Sequence, residues 1–208
     1  MLTVSADDYG YSPRYNAGIM RVARAGAIDA VGAMVLGPCC DPAPLLAAGV
    51  EIGLHIESPG EAAPAEPRRQ AEHFAELFGR APDYLDGHQH CHAMAPLDRE
   101  TEDLALELGI RVRSTSSRHR DRLRSRGVDT PDLLIGRLSQ SEPVLPAELA
   151  AALEGGRLDA GWTEWMVHPG YRDPAAGSSY DAGREEDLEL LLRLAETPAY
   201  GRLREPTT

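Results

Sequence analysis

Short apolar, β-type runs alternate with helix-type runs along almost the whole chain, and this alternation limits the fold more than any other feature of the sequence. The runs Leu2–Ala6, Val31–Leu36, Glu51–Leu54, Tyr84–Asp86, Arg111–Arg113, Leu133–Ile135 and Thr163–Val167 read as strands. Between them, Asn16–Arg24, Pro42–Ala48, Arg68–Phe78, Asp98–Leu108, Pro146–Leu153 and Glu185–Ala195 read as helices. Such a pattern builds a parallel sheet wrapped by helices, as a closed or partly open βα barrel or as a doubly wound sheet. The 208 residues fill one α/β domain spanning 1–208 and are few for two independent cores. No final strand is read after Leu194, so residues 196–208 are expected to form a peripheral tail.

Gly and Pro cluster after the strands, as in Gly10-Tyr11-Ser12-Pro13, Ser58-Pro59-Gly60 and His168-Pro169-Gly170. In βα folds the loops that follow the carboxyl ends of the strands form the site. Asp7, Asp8, His55, His88 and His168 all fall at such ends. Convergence on one site is the simplest reading of that placement.

The net charge of −12 arises from Asp and Glu set against Arg alone, because the chain contains no lysine. An acidic surface repels phosphate backbones and anionic headgroups, so neither nucleic acid nor a membrane is an expected partner. The Arg-rich stretch Arg111–Arg126 is a local exception and reads as a solvated loop. No signal peptide or membrane span is read from the sequence. Three cysteines, two of them adjacent at Cys39 and Cys40, frame no disulfide scaffold, and a cytoplasmic location fits. The sequence leaves a homodimer open.

Asp7 and Asp8 follow an apolar strand as adjacent carboxylates. Their mutual repulsion is relieved by a cation, although a pair that caps a helix is the simpler alternative. His55 ends the apolar Gly53-Leu54 run, where a packed core histidine is the competing reading. Asp86-Gly87-His88-Gln89-His90-Cys91-His92 places three histidines two residues apart, so an extended segment presents all three on one face. That arrangement suits metal binding or the support of metal ligands. One carboxylate and two imidazoles with an open position suit metal-assisted hydrolysis, in which water loses a proton near neutral pH and attacks a carbonyl. His168 is placed to give a proton to the leaving nitrogen, or else packs beneath its Pro-Gly turn.

In this order, Ala6-Asp7-Asp8-Tyr9-Gly10, Gly26 with the strand after it, Gly53-Leu54-His55, the run from Asp86 to His92 with Pro96, and His168-Pro169-Gly170-Tyr171 resemble the YdjC-like carbohydrate deacetylases. That family includes chitooligosaccharide deacetylases acting on N-acetylglucosamine units, and the resemblance runs from residue 2 to residue 195. It implies a distorted or incomplete TIM-like (β/α) barrel. It also implies hydrolysis of the acetamide of an N-acetylated amino sugar, with release of acetate. By the same resemblance Asp8, His55 and His88 hold one divalent metal ion, Asp7 is the general base and His168 the acid. Tyr9, Glu57, His90, His92 and Arg184 are expected to bind substrate or support these groups. The family points to magnesium, whereas two imidazoles and a carboxylate are softer than magnesium prefers and suit zinc or another transition ion.

The chain departs from the family where Ile56-Glu57-Ser58-Pro59 follows His55. Glu57, two residues from His55, is expected at the rim of the same pocket, where it would disfavour anionic substrates. Two other functions fit part of the pattern: a metal-dependent phosphoesterase, and a metal- or sugar-binding relative without turnover. The first needs a second metal site, for which too few extra carboxylates lie near the histidines, and the second leaves Asp7 without a task.

Overall fold

The computed structural model describes residues 1–58, 66–139 and 141–205. Pro59, Gly60 and residues 206–208 of the expected tail lie outside the described residues. Seven strands form one sheet: β1 Leu2–Tyr9, β2 Ala30–Ala33, β3 Glu51–Ile56, β4 Tyr84–Gly87, β5 Arg111–Val112, β6 Leu133–Ile135 and β7 Thr163–Val167. Every neighbouring pair is parallel, in the order β5-β4-β3-β2-β1-β7-β6. Read around the sheet, that order follows the chain and breaks only between β5 and β6. The result is an open, incomplete barrel, and the doubly wound alternative is set aside.

Helices α1 Pro13–Arg24, α2 Pro42–Leu46, α3 Pro67–Phe78, α4 Leu97–Leu108, α5 Ser117–Ser125, α6 Ala147–Gly155, α7 Gly183–Ala195 and α8 Pro198–Arg204 surround the sheet. Helix α1 starts where the sequence supplies both signals for a helix start. Ser12 Oγ accepts from Arg14 N at 3.1 Å, and Pro13 occupies the first turn, where no backbone donor is needed. Helices α3 and α4 stop at Gly79 and Gly109, both in the left-handed conformation. The strands are buried on both faces, which is why they read as continuous apolar runs. Val4, Leu54, Leu85 and Val167 belong to one apolar core with the inner faces of the helices.

Three parts differ from the sequence reading. The Arg-rich stretch is not a loop throughout: Val112 and Arg113 are buried, and Ser116 caps α5 by accepting from His119 N at 3.2 Å. Residues 198–204 form α8, whose Tyr200 and Leu203 are buried, so this part of the tail packs on the core. Its charged residues alternate with two apolar anchors spaced three apart, too short a pattern to stand out by periodicity. Finally, β1 runs on to Tyr9, so Asp7 and Asp8 lie within a strand. No described helix is long and apolar enough to cross a membrane.

Candidate metal centre and catalytic cleft

A cleft of about 390 Å³ opens at the carboxyl ends of the strands and is lined by Asp7, Asp8, His55, His88, His90, His168 and Arg184, among others. The register between β1 and β2 shifts between Ala6 and Tyr9, and Asp8 has φ of 70°. This bulge lets two adjacent carboxylates reach one cavity, which a regular strand would send to opposite faces. Aspartate is among the few residues that tolerate the left-handed region.

Asp8 Oδ1 lies 2.9 Å from His88 Nδ1 and 3.3 Å from His55 Nε2. One ligand atom from each residue thus falls within 4.8 Å of the others. Behind this cluster, His55 Nδ1 donates to Asp86 Oδ1 at 2.8 Å, which turns Nε2 toward Asp8. Gly32 makes room for that pair, since a Cβ there would meet His55 Nδ1 at 3.1 Å and Asp86 Oδ2 at 3.3 Å. Arg184 Nη2 holds the other oxygen, Asp8 Oδ2, at 2.5 Å, with its guanidinium 3.7 Å above the Tyr15 ring.

Arg113, the residue after β5, is fully buried and joins three carboxylates. Its Nη1 and Nη2 donate to Asp7 Oδ2 and Oδ1 at 2.6 and 2.8 Å, its Nη2 lies 2.9 Å from Asp86 Oδ2, and its Nε donates to Glu164 Oε1 at 2.8 Å. Asp7, Asp8, Asp86 and Glu164 are four buried carboxylates against two buried guanidinium groups, Arg113 and Arg184. Two negative charges therefore remain before any histidine is protonated, a surplus that a divalent cation would balance. A second cluster, Asp7, His55 and Asp86, also has ligand spacing, but the Arg113 charge already sits between its carboxylates. The donors fit one divalent ion at Asp8, His55 and His88.

These contacts displace the acid–base equilibria. Burial pushes the Asp7 carboxyl up, but Arg113 and His55 outweigh it and hold it down at about 2. Burial opposes the charged form of His55, yet Asp86 and Asp7 raise it well above the ordinary imidazole value. His168 goes the other way. Its burial dominates and depresses it, although Asp8 and Asp7 oppose the shift. Its Nε2 lies 4.0 Å from Asp7 Oδ2, too far for a hydrogen bond, so the two side chains are not paired with each other.

The three histidines of the 88–92 run do not share a face. Residues His88–Ala93 form a 3₁₀ segment, in which Gln89 and His90 have positive φ of 51° and 59°. His88 faces Asp8, and His90 reaches the cleft wall, its pKa depressed to about 4 by burial and then by Arg113. His92 is turned away and buried, its Nε2 donating to Arg113 O at 2.9 Å. Glu57 does not line the cleft either: its carboxylate accepts from Leu36 N at 2.9 Å and pins the loop after β2. Tyr9 is likewise outside it, with its hydroxyl donating to Asp41 O at 2.8 Å.

Sequence reasoning overlooked Asp86 and Arg113. Each is a charged residue at the carboxyl end of an apolar strand, the same signal that singled out His55. Asp187 was also missed. It accepts from the backbone N of His168 at 2.9 Å and from Arg137 Nη2 at 2.9 Å, and so steadies the segment carrying His168.

The YdjC-like protein family model matches residues 1–64 and 58–196. The chain belongs to this family. A chitooligosaccharide deacetylase of Klebsiella pneumoniae (strain 342) is 28% identical over 236 residues, covering 94% of this chain and 92% of that protein. A human carbohydrate deacetylase is 28% identical over 151 residues, 53% of this chain and 46% of the human protein. In fold, the YdjC-like chain is similar to a putative cellobiose-phosphate cleavage protein of Enterococcus faecalis V583, with TM-score 0.76, 23% identity and coverage of 99% and 96% of the two chains.

Proposed function

We propose that this YdjC-like chain is a metal-dependent deacetylase that hydrolyses the acetamide of an N-acetylated amino sugar, such as an N-acetylglucosamine-containing oligosaccharide or glycoconjugate, and releases acetate. One observation carries the reading: Asp8, His55 and His88 meet in the cleft into which Asp7 and His168 also open. The related deacetylases from Klebsiella and human support the sugar amide as substrate. Asp8, His55 and His88 would hold the ion, and this donor set favours zinc or another transition ion over magnesium. When bound, the ion polarises the amide carbonyl and acidifies the attacking water.

Asp7 accepts the proton of that water. Its carboxylate is ionised across the neutral range and is held in place by Arg113. The same clamp makes it a weak resting base, so its value lies in position and in the charge that builds beside it as water is deprotonated. His168 is placed to deliver a proton to the nitrogen that leaves, and because burial disfavours its charged form it must first take up the proton that the attacking water releases. Arg184 keeps Asp8 from turning, and Asp86 keeps His55 in one tautomer. A two-metal phosphoesterase is the weaker reading, because Arg113 already neutralises the second carboxylate cluster.

The test is metal analysis of the purified protein together with acetate release from a panel of acetylated amino sugars. Acetate release that tracks bound metal is the expected result. Metal-dependent phosphate release from phosphoesters, with no acetate from any amide, would replace this reading with the phosphoesterase.

A further inference from the structure

Among the described residues, Leu138 is the most exposed large hydrophobic side chain, with 68% of its surface open, and it lines the cleft. It lies outside the apolar core, so the fold itself does not account for an apolar group there. The backbone that presents it is held from both sides. Gly136 has φ of +139° and passes against Met166 O, which a Cβ would meet at 2.5 Å, so glycine is required at this turn. Arg137 is locked by Asp187 and Glu186, and Glu142 accepts from Leu138 N at 2.5 Å. Leu138 is thus carried into the mouth of the cleft on a braced loop.

We propose that Leu138 is a substrate-binding residue that packs against the apolar C–H face of a pyranose ring. The inference rests on the reading of the cleft as a site for acetylated amino sugars. Its depth decides which part of the substrate it meets. Asp7, Asp8 and His55 are buried on the floor, where the acetamide would react, whereas Leu138 is exposed at the mouth. Its surroundings decide the chemistry. Arg137, Ser178 and the Tyr180 ring line the same cleft with Leu138, and this mixture of apolar and polar groups matches a sugar ring, with its C–H face and hydroxyl rim.

Kinetics of acetate release from a β-1,4-linked N-acetylglucosamine disaccharide, together with calorimetric binding of that sugar, test the proposal on the metal-loaded native protein and on Leu138→Ala, Leu138→Ser and Leu138→Met. Covering about half of a leucine side chain is worth roughly a 5-fold change in affinity, so KM and Kd should rise about 5-fold or more in the Ala and Ser variants. Turnover should stay within about twofold, the denaturation midpoint should not move, and Met should restore native affinity. Native KM and Kd in the Ala and Ser variants would overturn the proposal, as would weaker binding that follows a loss of stability. If the native protein binds the sugar through Leu138 yet releases no acetate, the deacetylase reading falls and this one stands. If acetate is released with no dependence on Leu138, the deacetylase reading stands and this one falls.

Discussion

Arg113 grips Asp7 through two parallel hydrogen bonds, Nη1 to Oδ2 at 2.6 Å and Nη2 to Oδ1 at 2.8 Å, with both side chains buried. The same guanidinium reaches Asp86, which orients His55, so one residue ties the proposed base to a proposed metal ligand. Lysine keeps the charge but lacks the planar fork. Arg113→Lys should therefore leave a folded protein, destabilised by about 3 kcal/mol because buried carboxylates lose partners, with turnover down on the order of 10²-fold. Denaturant unfolding and kinetics on the same preparation check both numbers. Native turnover would detach Arg113 from the chemistry.

Asp86→Asn should weaken metal binding by roughly 10- to 100-fold, the usual effect of removing the carboxylate behind a ligating histidine. The motive is the 2.8 Å contact to His55 Nδ1, since an amide can present the wrong dipole and release the tautomer. Competition titration against a chelator of known affinity measures it. An unchanged affinity means that something else fixes the His55 ring.

Metal binding should release a proton from His55. In the metal-free fold burial opposes its charge, but Asp86 and Asp7 prevail and its pKa lies above the unfolded value of 6.5. A raised folded value means that protonated His55 contributes stability below pH ~6.5, and that this contribution is lost as pH rises through the folded pKa. An ion must displace that proton, so apparent affinity should climb about tenfold per pH unit below the folded pKa and flatten above it. Calorimetry in buffers of different ionisation enthalpy counts the protons. Zero release at pH 6 to 7 would contradict the expectation.

Much of the fold was legible because a strand buried on both faces must be apolar and the helices between strands must be amphipathic, as in β3, α3 and β7. The convergence of Asp8, His55 and His88 was legible because each falls at or near the carboxyl end of an apolar run. Period-two reasoning failed at His90 and His92, where two left-handed residues break the extended backbone, and at Glu57, whose carboxylate instead caps the Leu36 amide. Arg113 stayed hidden within a run of arginines, the others of which are more exposed. Its place directly after β5 was the one local signal, and the two-residue strand was too short for that signal to stand out from the solvated arginines around it.

Helix α8 offers a test of stability apart from the site. Tyr200 is buried, stands edge-on to Trp165 with ring centroids 6.4 Å apart, and donates its hydroxyl to Ala27 O at 2.7 Å. Tyr200→Phe removes the hydrogen bond alone and should cost about 1 kcal/mol, whereas Tyr200→Ala also leaves a cavity and should cost about 3 to 5 kcal/mol. Urea unfolding resolves the two. Equal midpoints for native protein and Tyr200→Ala would mean that α8 is not docked in solution.

Acid and base can be separated by the chemistry of the leaving group. An amide nitrogen must be protonated as it departs, whereas an activated phenolate leaves without a proton. If Asp7 is the base and His168 the acid, Asp7→Asn should lower turnover on the order of 10²-fold or more with either an acetylated amino sugar or an activated aryl acetate, because water must lose its proton in both. His168→Gln should cost as much on the sugar amide and far less, within about tenfold, on the aryl ester. The double variant should be little worse than either single one on the amide, since two groups serving one proton path do not act additively. The competing account is that His168 merely packs against Tyr180, with ring centroids 4.8 Å apart, while its backbone N donates to Asp187. That role predicts lower stability and equal proportional losses on both substrates. Metal content and folded fraction, measured on each variant, keep those effects out of the comparison. A His168→Gln protein that loses amide and ester turnover alike would leave Asp7 as base and remove His168 as acid.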